Sequence, residues 1–349
     1  MPVDTTATAV ARTYMITGPE PELWYRDLIS CLQAALGSFL VREGADPLEV
    51  IGAGWRFLHL PGDVRSEEFY YPCIEGELGS ALAPHHALHA RWWQPADEHD
   101  VWREVREHLA NDRLVIAAVD NFHLPFRPAY GDVHAAHLVV IHGLDETRGV
   151  VHVSDAMPPA FRGAVPIEEF LRSWGSANPN DVQDAFFSDA RIGRRCLDLR
   201  LDAKPEPLTP ELLGSYLRLN IEGFTTAGPD RTGLAGYDAF AAELVDRCRA
   251  GDAGALTELY PFGWGMQAQA SLHGELLRCR GHLWGDPALA GAGRAVEAVA
   301  HAWTGLRFTG AHGLDDPRAA ASDIAHHATV LRGRYAQAVD AVGAVAARL

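Results

Sequence analysis

The apolar positions Leu32, Ala35, Leu36, Phe39 and Leu40 recur at i, i+3, i+4, i+7 and i+8. This spacing lays one hydrophobic stripe along a helix and predicts a helix over 29–42, with Asp27 or Ser30 as its cap. Residues 101–110 (VWREVREHLA) predict a second amphipathic helix. The period then changes: Leu114–Val119, His137–His142 and Val150–Asp155 are short runs rich in Val, Ile and Leu, and predict strands. The segment 143–149 (GLDETRG) predicts the turn between the last two. Residues 203–210 (AKPEPLTP) carry three prolines in eight positions and mark a boundary. Beyond it, helices are expected over 209–223, 234–250, 254–283 (broken near Pro261), 289–306 and 317–348. Pro317 suits a first helical turn capped by Asp315 or Asp316. Residues 1–20 read as a loose leader, 21–203 as a mixed α+β domain and 204–349 as an all-helical domain.

Composition narrows the function classes. A chain of 349 residues, 48% hydrophobic and 22% charged, has the make-up of a soluble protein with about two domains. No apolar run approaches a membrane span, and no basic start followed by an apolar run opens the chain, so a cytoplasmic location is expected. The net charge of −16 argues against sequence-independent contact with nucleic acid or an anionic membrane. The five cysteines (Cys31, Cys73, Cys196, Cys248 and Cys279) are odd in number, widely spaced and without a CxxC pair, which predicts free thiols. His85, His86 and His89 cluster, but no fourth ligand or HExxH motif accompanies them, so no metal is expected.

One cysteine stands out by position. Cys31 falls in the first turn of the predicted 29–42 helix, where unpaired N–H groups and the helix dipole stabilise a thiolate. The same N–H groups can receive an oxyanion during acyl transfer. The alternative is a cysteine that simply packs into the core. The strand pair adds a partner. If residue 142 pairs with 150, His137 lies opposite Asp155, and a carboxylate beside an imidazole fixes its tautomer and lets it deprotonate a thiol. A bulge would move this register by one residue and turn one side chain away. His134 replaces His137 if the strand begins elsewhere. Asp120 and Asn121, at the end of the preceding strand, read equally as amine- and carbonyl-binding groups or as ordinary turn caps. Trp55, Phe57, Trp92 and Trp93 read as core or pocket wall.

These residues carry a resemblance. DLISCLQAALGSFL, DPLEVIGAGWRF, EEFYYPCIEGEL, LVIAAVDNFHLPFRPAY and HAAHLVVIHGLDETRGVVHVSDAMPP follow one another as in the butirosin-biosynthesis H-type acyltransferases, a papain-like group. The last piece is also similar to the His and Asp strands of bacteriocin-leader peptidases. The resemblance covers about residues 22–200 and is much weaker in the helical half. It implies a papain-like domain followed by an all-helical extension, with Cys31 as nucleophile, His137 as base and acid, and Asp155 as orienting group. It further implies transfer of an acyl group from a carrier-protein thioester to a small amine, with no cofactor beyond the carrier's own phosphopantetheine. Tyr25, Trp55, Asp120 and Asn121 are the expected substrate-binding residues. Tyr25 stands six positions before the cysteine, where the leader peptidases place a glutamine, which makes peptide hydrolysis a poorer reading than thioester chemistry. A carrier is anionic, so this acidic chain needs a local basic patch; Arg191, Arg194, Arg195 and Arg200 form the candidate patch, with Arg191, Arg194 and Arg195 the expected docking residues, unless these arginines pair with Asp189, Asp198 and Asp202. Hydrolysis or ring closure by the same triad, or a non-catalytic accessory subunit, are the competing functions. A homo- or hetero-oligomer is compatible with the sequence.

Overall fold

Residues 15–166 and 196–201 supply a seven-stranded antiparallel sheet: β1 (Met15–Thr17), β2 (Leu88–Trp93), β3 (Val115–Asp120), β4 (Ala136–Asp145), β5 (Val150–Asp155), β6 (Phe161–Pro166) and β7 (Cys196–Leu201). A computed structural model describes residues 15–18, 20–59, 82, 85–184, 187–189, 191–226 and 231–349. Most of the expected 1–20 leader and the EEFYYPCIEGEL segment with Cys73 lie outside the described residues. Met15–Thr17 is not loose: it pairs with Gly143–Asp145 of β4. The strand order is β2-β7-β3-β4-β5-β6, with β1 also beside β4. Every residue of β4 is buried, which explains its unbroken apolar run.

Helices cover both faces of the sheet. On one, α1 (Cys31–Arg42) and α2 (Pro47–Ile51) pack Leu36, Leu40 and Ile51 with Ile116, Ala118, Leu138 and Val140. On the other, α3 (Arg103–Ala110) and α4 (Ile167–Trp174) pack Val105, Leu109, Phe170 and Trp174 with Val115, Ala117, Val139 and Val153. From residue 210 the chain is helical: α5 (Pro210–Thr225), α6 (Gly233–Ala250), α7 (Ala253–Leu283), α8 (Pro287–His312) and α9 (Pro317–Ala346). The expected break in α7 does not occur. Pro261 sits inside a continuous helix, because Leu256, Leu259, Phe262 and Met266 are all anchored in one core and hold the turns on both sides of it. Asp316 caps α9, with Pro317 in the first turn as expected.

The two regions share their cores. Trp55 and Phe57 leave the sheet region and insert among Phe224, Tyr237, Phe240, Phe262 and Tyr335 of the helices. In return, Leu272 and Leu276 of α7 join the core beneath α1. The buried His273 Nδ1 bonds the Gly52 carbonyl at 2.7 Å.

The β4–β5 register differs from the simple hairpin expected. Val150 faces Asp145, three residues beyond the anticipated His142, because β4 runs on through the segment expected to be turn. A bulge at His142 then takes up one residue. Past it, Ile141 faces Val153 and Val140 faces Ser154, a net displacement of two. Faces alternate along a strand, so an odd displacement would have turned His137 and Asp155 to opposite sides. The even one leaves them on one face, as diagonal neighbours.

Helix α1 also tests the packing that carries Cys31. A Cβ at Gly37 would overlap the Trp24 indole. Gly37→Ala in a helix interior ordinarily stabilises by about 1 kcal/mol. Here the expected result is a loss of about 1–3 kcal/mol, read from chemical denaturation, because the buried Trp24 must be displaced.

Candidate active site

Ser30 caps α1. Its hydroxyl accepts from the Gln33 N–H at 3.2 Å, and the Gln33 side chain accepts from the Ser30 N–H at 3.0 Å. This reciprocal cap starts the helix at Cys31 and leaves the Cys31 and Leu32 N–H groups without intrahelical acceptors. Asp27 is not the cap. Cys31 is buried and free of any disulfide.

His137 meets Cys31 from β4. Its Nε2 lies 2.7 Å from Asp155 Oδ2, which leaves Nδ1 as the ring nitrogen open to the thiol. Burial by itself pulls the His137 pKa down. The Asp155 carboxylate and a hydrogen bond with Cys31 more than reverse this and raise it to about 9. The imidazolium is therefore the prevailing form at neutral pH. Burial likewise pushes the Asp155 carboxyl up, but the facing His137 and then Arg127 hold it below the usual carboxylate range. The pattern is that of a charged dyad kept ionised by its partners.

Arg127 is the residue that sequence reasoning missed. Its Nη1 donates to Asp155 Oδ2 at 3.0 Å and to the Met157 carbonyl at 3.2 Å. Asp155 Oδ1 accepts from the Met157 N–H at 2.9 Å. Both carboxylate oxygens are thus engaged, and the group cannot rotate away from His137. The available signal was an arginine inside the otherwise apolar, proline-containing run LPFRPAY beside the expected site.

Asp120 does not offer a free carboxylate to an amine. It is fully buried. Its oxygens accept from the Phe122 and Ala135 N–H groups, from Ser176 Oγ at 2.6 Å and from His134 Nδ1 at 2.7 Å. It ends β3, caps the 3-10 turn Asn121–His123 and anchors the loop that leads to His137. His134, held by Asp120 and stacked on Phe122 at 4.1 Å, is not the partner of Asp155. Asn121 keeps an unspent group: its buried Oδ1 has no hydrogen-bond partner among the described residues.

Trp55 is not a substrate residue either, because it is 1% exposed inside the helical core and stacks near His273 and Tyr335. Tyr25 is half-buried against the α1 core, and burial raises its phenol pKa. Arg191, Arg194 and Arg195 lie in the turn before β7 and line a surface hollow with Gln94, Glu98 and Gly175. Arg195 stands over the Trp92 ring at 5.6 Å and bonds the Ile192 carbonyl at 3.0 Å. Arg200 does pair with Asp202, as the alternative reading expected, while Asp202 also meets His89, and Asp198 meets His108 and Arg113.

Among the described residues, Asp120, His123 and His134 bring ligand-capable atoms within 4.8 Å of one another. His134 Nδ1 and Asp120 Oδ2 lie 2.7 Å apart, at hydrogen-bond distance. His85 is committed to Asn220 at 2.9 Å and His89 to Asp202 at 2.7 Å. No described helix is long and apolar enough to cross a membrane.

Residues 30–156 match the family model described as butirosin biosynthesis protein H, N-terminal. The match begins at the Ser30 cap and ends just past Asp155. No curated protein matches the chain.

The His137 pKa has a sign that can be measured. A pKa raised from 6.5 to about 9 stabilises the fold fully below pH 6.5, and that contribution is lost as pH rises through about 9. The stability advantage of the native protein over His137→Gln should shrink across that interval in thermal unfolding. NMR titration of the imidazole should give a midpoint near 9, and Asp155→Asn should lower it.

Proposed function

We propose, from the match of residues 30–156 to the model described as butirosin biosynthesis protein H, N-terminal, a family of antibiotic biosynthesis, that the chain is a cysteine-dependent acyltransferase. The observation that carries this reading is the convergence of Cys31, His137 and Asp155 at the first turn of α1, with the histidine held as an imidazolium. We read the arrangement as papain-like: a nucleophile on a helix N-terminus, served by a histidine and a carboxylate on adjacent strands. The corresponding domain division places this machinery in residues 21–203, with 204–349 as a helical extension.

The chemistry follows from the proton positions. The Cys31 thiolate attacks the carbonyl of a carrier-bound thioester, and the oxyanion forms against the Cys31 and Leu32 N–H groups. The carrier sulfur leaves and takes the proton of the His137 imidazolium. Neutral His137 then removes a proton from the incoming amine as it attacks the acyl-cysteine. Collapse forms the amide and releases Cys31 as thiolate beside a renewed imidazolium. Asp155 transfers no proton. It holds the ring and stabilises its charged form, and Arg127 holds Asp155. Asn121 Oδ1, at the end of β3, is one polar atom with hydrogen-bonding capacity left for a substrate.

Intact-mass analysis after mixing with acyl carrier thioesters tests this directly. A single acyl adduct is expected on the native protein and none on Cys31→Ala, which keeps its fold. An adduct that persists in Cys31→Ala would overturn the assignment. Decay of the adduct to free acid without an amine would favour hydrolysis. Asp155→Asn should leave weak acylation rather than none.

The carrier approaches against a net charge of −16, so docking needs the Arg191, Arg194 and Arg195 turn. Arg194→Glu with Arg195→Glu should slow acylation by a carrier-bound donor, most at low salt, and leave a small thioester mimic unaffected. Equal slowing of both donors would make the patch structural.

A further inference from the structure

Trp264 lies on α7, far from Cys31 in the chain, yet its indole N–H donates to the Leu28 carbonyl at 2.6 Å. Leu28 stands three residues before Cys31 and has a φ of 73°. A non-glycine residue persists in this left-handed region only where its surroundings hold it there. Eleven residues further along α7, about three turns and so on the same face, Glu275 accepts from Arg26 Nε at 2.9 Å. Helix α7 therefore grips the segment before the nucleophile on both sides of Asp27.

The same indole also reaches the histidine side. Its ring meets Phe187 edge-on, with centroids 6.0 Å apart at 87°. The Phe187 carbonyl accepts from the Ala136 N–H, immediately before His137, at 2.6 Å. It also accepts from Asn178 Nδ2 at 2.7 Å. One side chain of the helical half thus touches both the arm that presents Cys31 and the arm that docks beside His137.

We infer that Trp264 is a positioning residue that sets the placement of the Cys31 and His137 arms relative to each other. The body of α1 is fixed by its core residues, but its first turn depends on the strained segment 26–30. The Leu28 hydrogen bond holds that segment, and the Phe187 contact ties it to the start of β4. The helical half then completes the site instead of only covering it. This inference rests on the reading of Cys31 and His137 as a thiolate–imidazolium pair.

The test is the rate of Cys31 alkylation by iodoacetamide against pH, with the modified residue located by peptide mass spectrometry. Trp264→Phe keeps a ring against Phe187 but has no N–H to donate. It should alkylate about tenfold more slowly at neutral pH, since a small misplacement weakens the pair. Its pH profile should move toward that of His137→Gln, which lacks the pairing imidazole. Adding Leu28→Gly should restore most of the rate, because glycine adopts a φ of 73° without strain. Glu275→Gln should shift the profile in the same direction by less, and serves if Trp264→Phe does not fold. An unchanged rate and profile in Trp264→Phe, whatever its melting temperature, would overturn the inference, as would a loss that Leu28→Gly does not relieve. A wild-type profile identical to that of His137→Gln would instead remove the ion pair itself, and the inference with it.

Discussion

The site depends on the parity of one strand pairing. Alternation along β4 and β5 means that His137 and Asp155 share a face only if their register differs by an even number of residues. The turn between the strands is tighter than its composition suggests, which displaces the register by three. The bulge at His142 removes one of the three, and the 2.7 Å His137–Asp155 contact follows. Bulges re-aim side chains at functional edges in this way.

Once paired, the two groups sit in an environment that would neutralise either alone. Burial opposes charge on both, and each is held ionised by the other, by Arg127 and by the Met157 N–H. A buried pair of this kind is weak support for stability, because desolvation offsets most of its attraction. Its consequence is chemical: an imidazolium held in one ring orientation, with Nε2 on Asp155 and Nδ1 toward the Cys31 sulfur at a helix N-terminus. A second buried carboxylate, Asp120 at the end of β3, has a different fate. Four donors saturate it, and it shapes the loop that leads into β4.

The helical half is coupled to this arrangement through shared cores and not through a linker alone. Trp55 and Phe57 are buried among helices α5 to α9, while Leu272 and Leu276 support α1 from below. His273 bonds the Gly52 carbonyl across the same boundary. The Cys31, His137 and Asp155 cluster is therefore built on a framework to which both halves contribute, and the expected division at the proline-rich segment separates secondary-structure types more cleanly than it separates packing.

Local pattern was enough to read much of this protein. The helix at 31–42, its Ser30 cap, the three core strands and the five C-terminal helices follow from periodicity, caps and turn residues, all of which act over a few positions. The neighbourhood of Cys31, His137 and Asp155 was legible only in part: a helix start and a strand pair bring them near, but the expected 142–150 pairing is not the one formed. What tertiary structure decided depends on contacts between distant residues. Pro261 stays inside a helix because a core holds both of its flanks. Trp55 became core because segment 53–58 crosses to the helices, which no local pattern encodes. Arg127 joined the site because a turn at 124–127 folds back on β5. The register itself hinged on a single bulged residue. Periodicity reports which face a side chain takes within one element, and only packing fixes where that element ends and what lies opposite it.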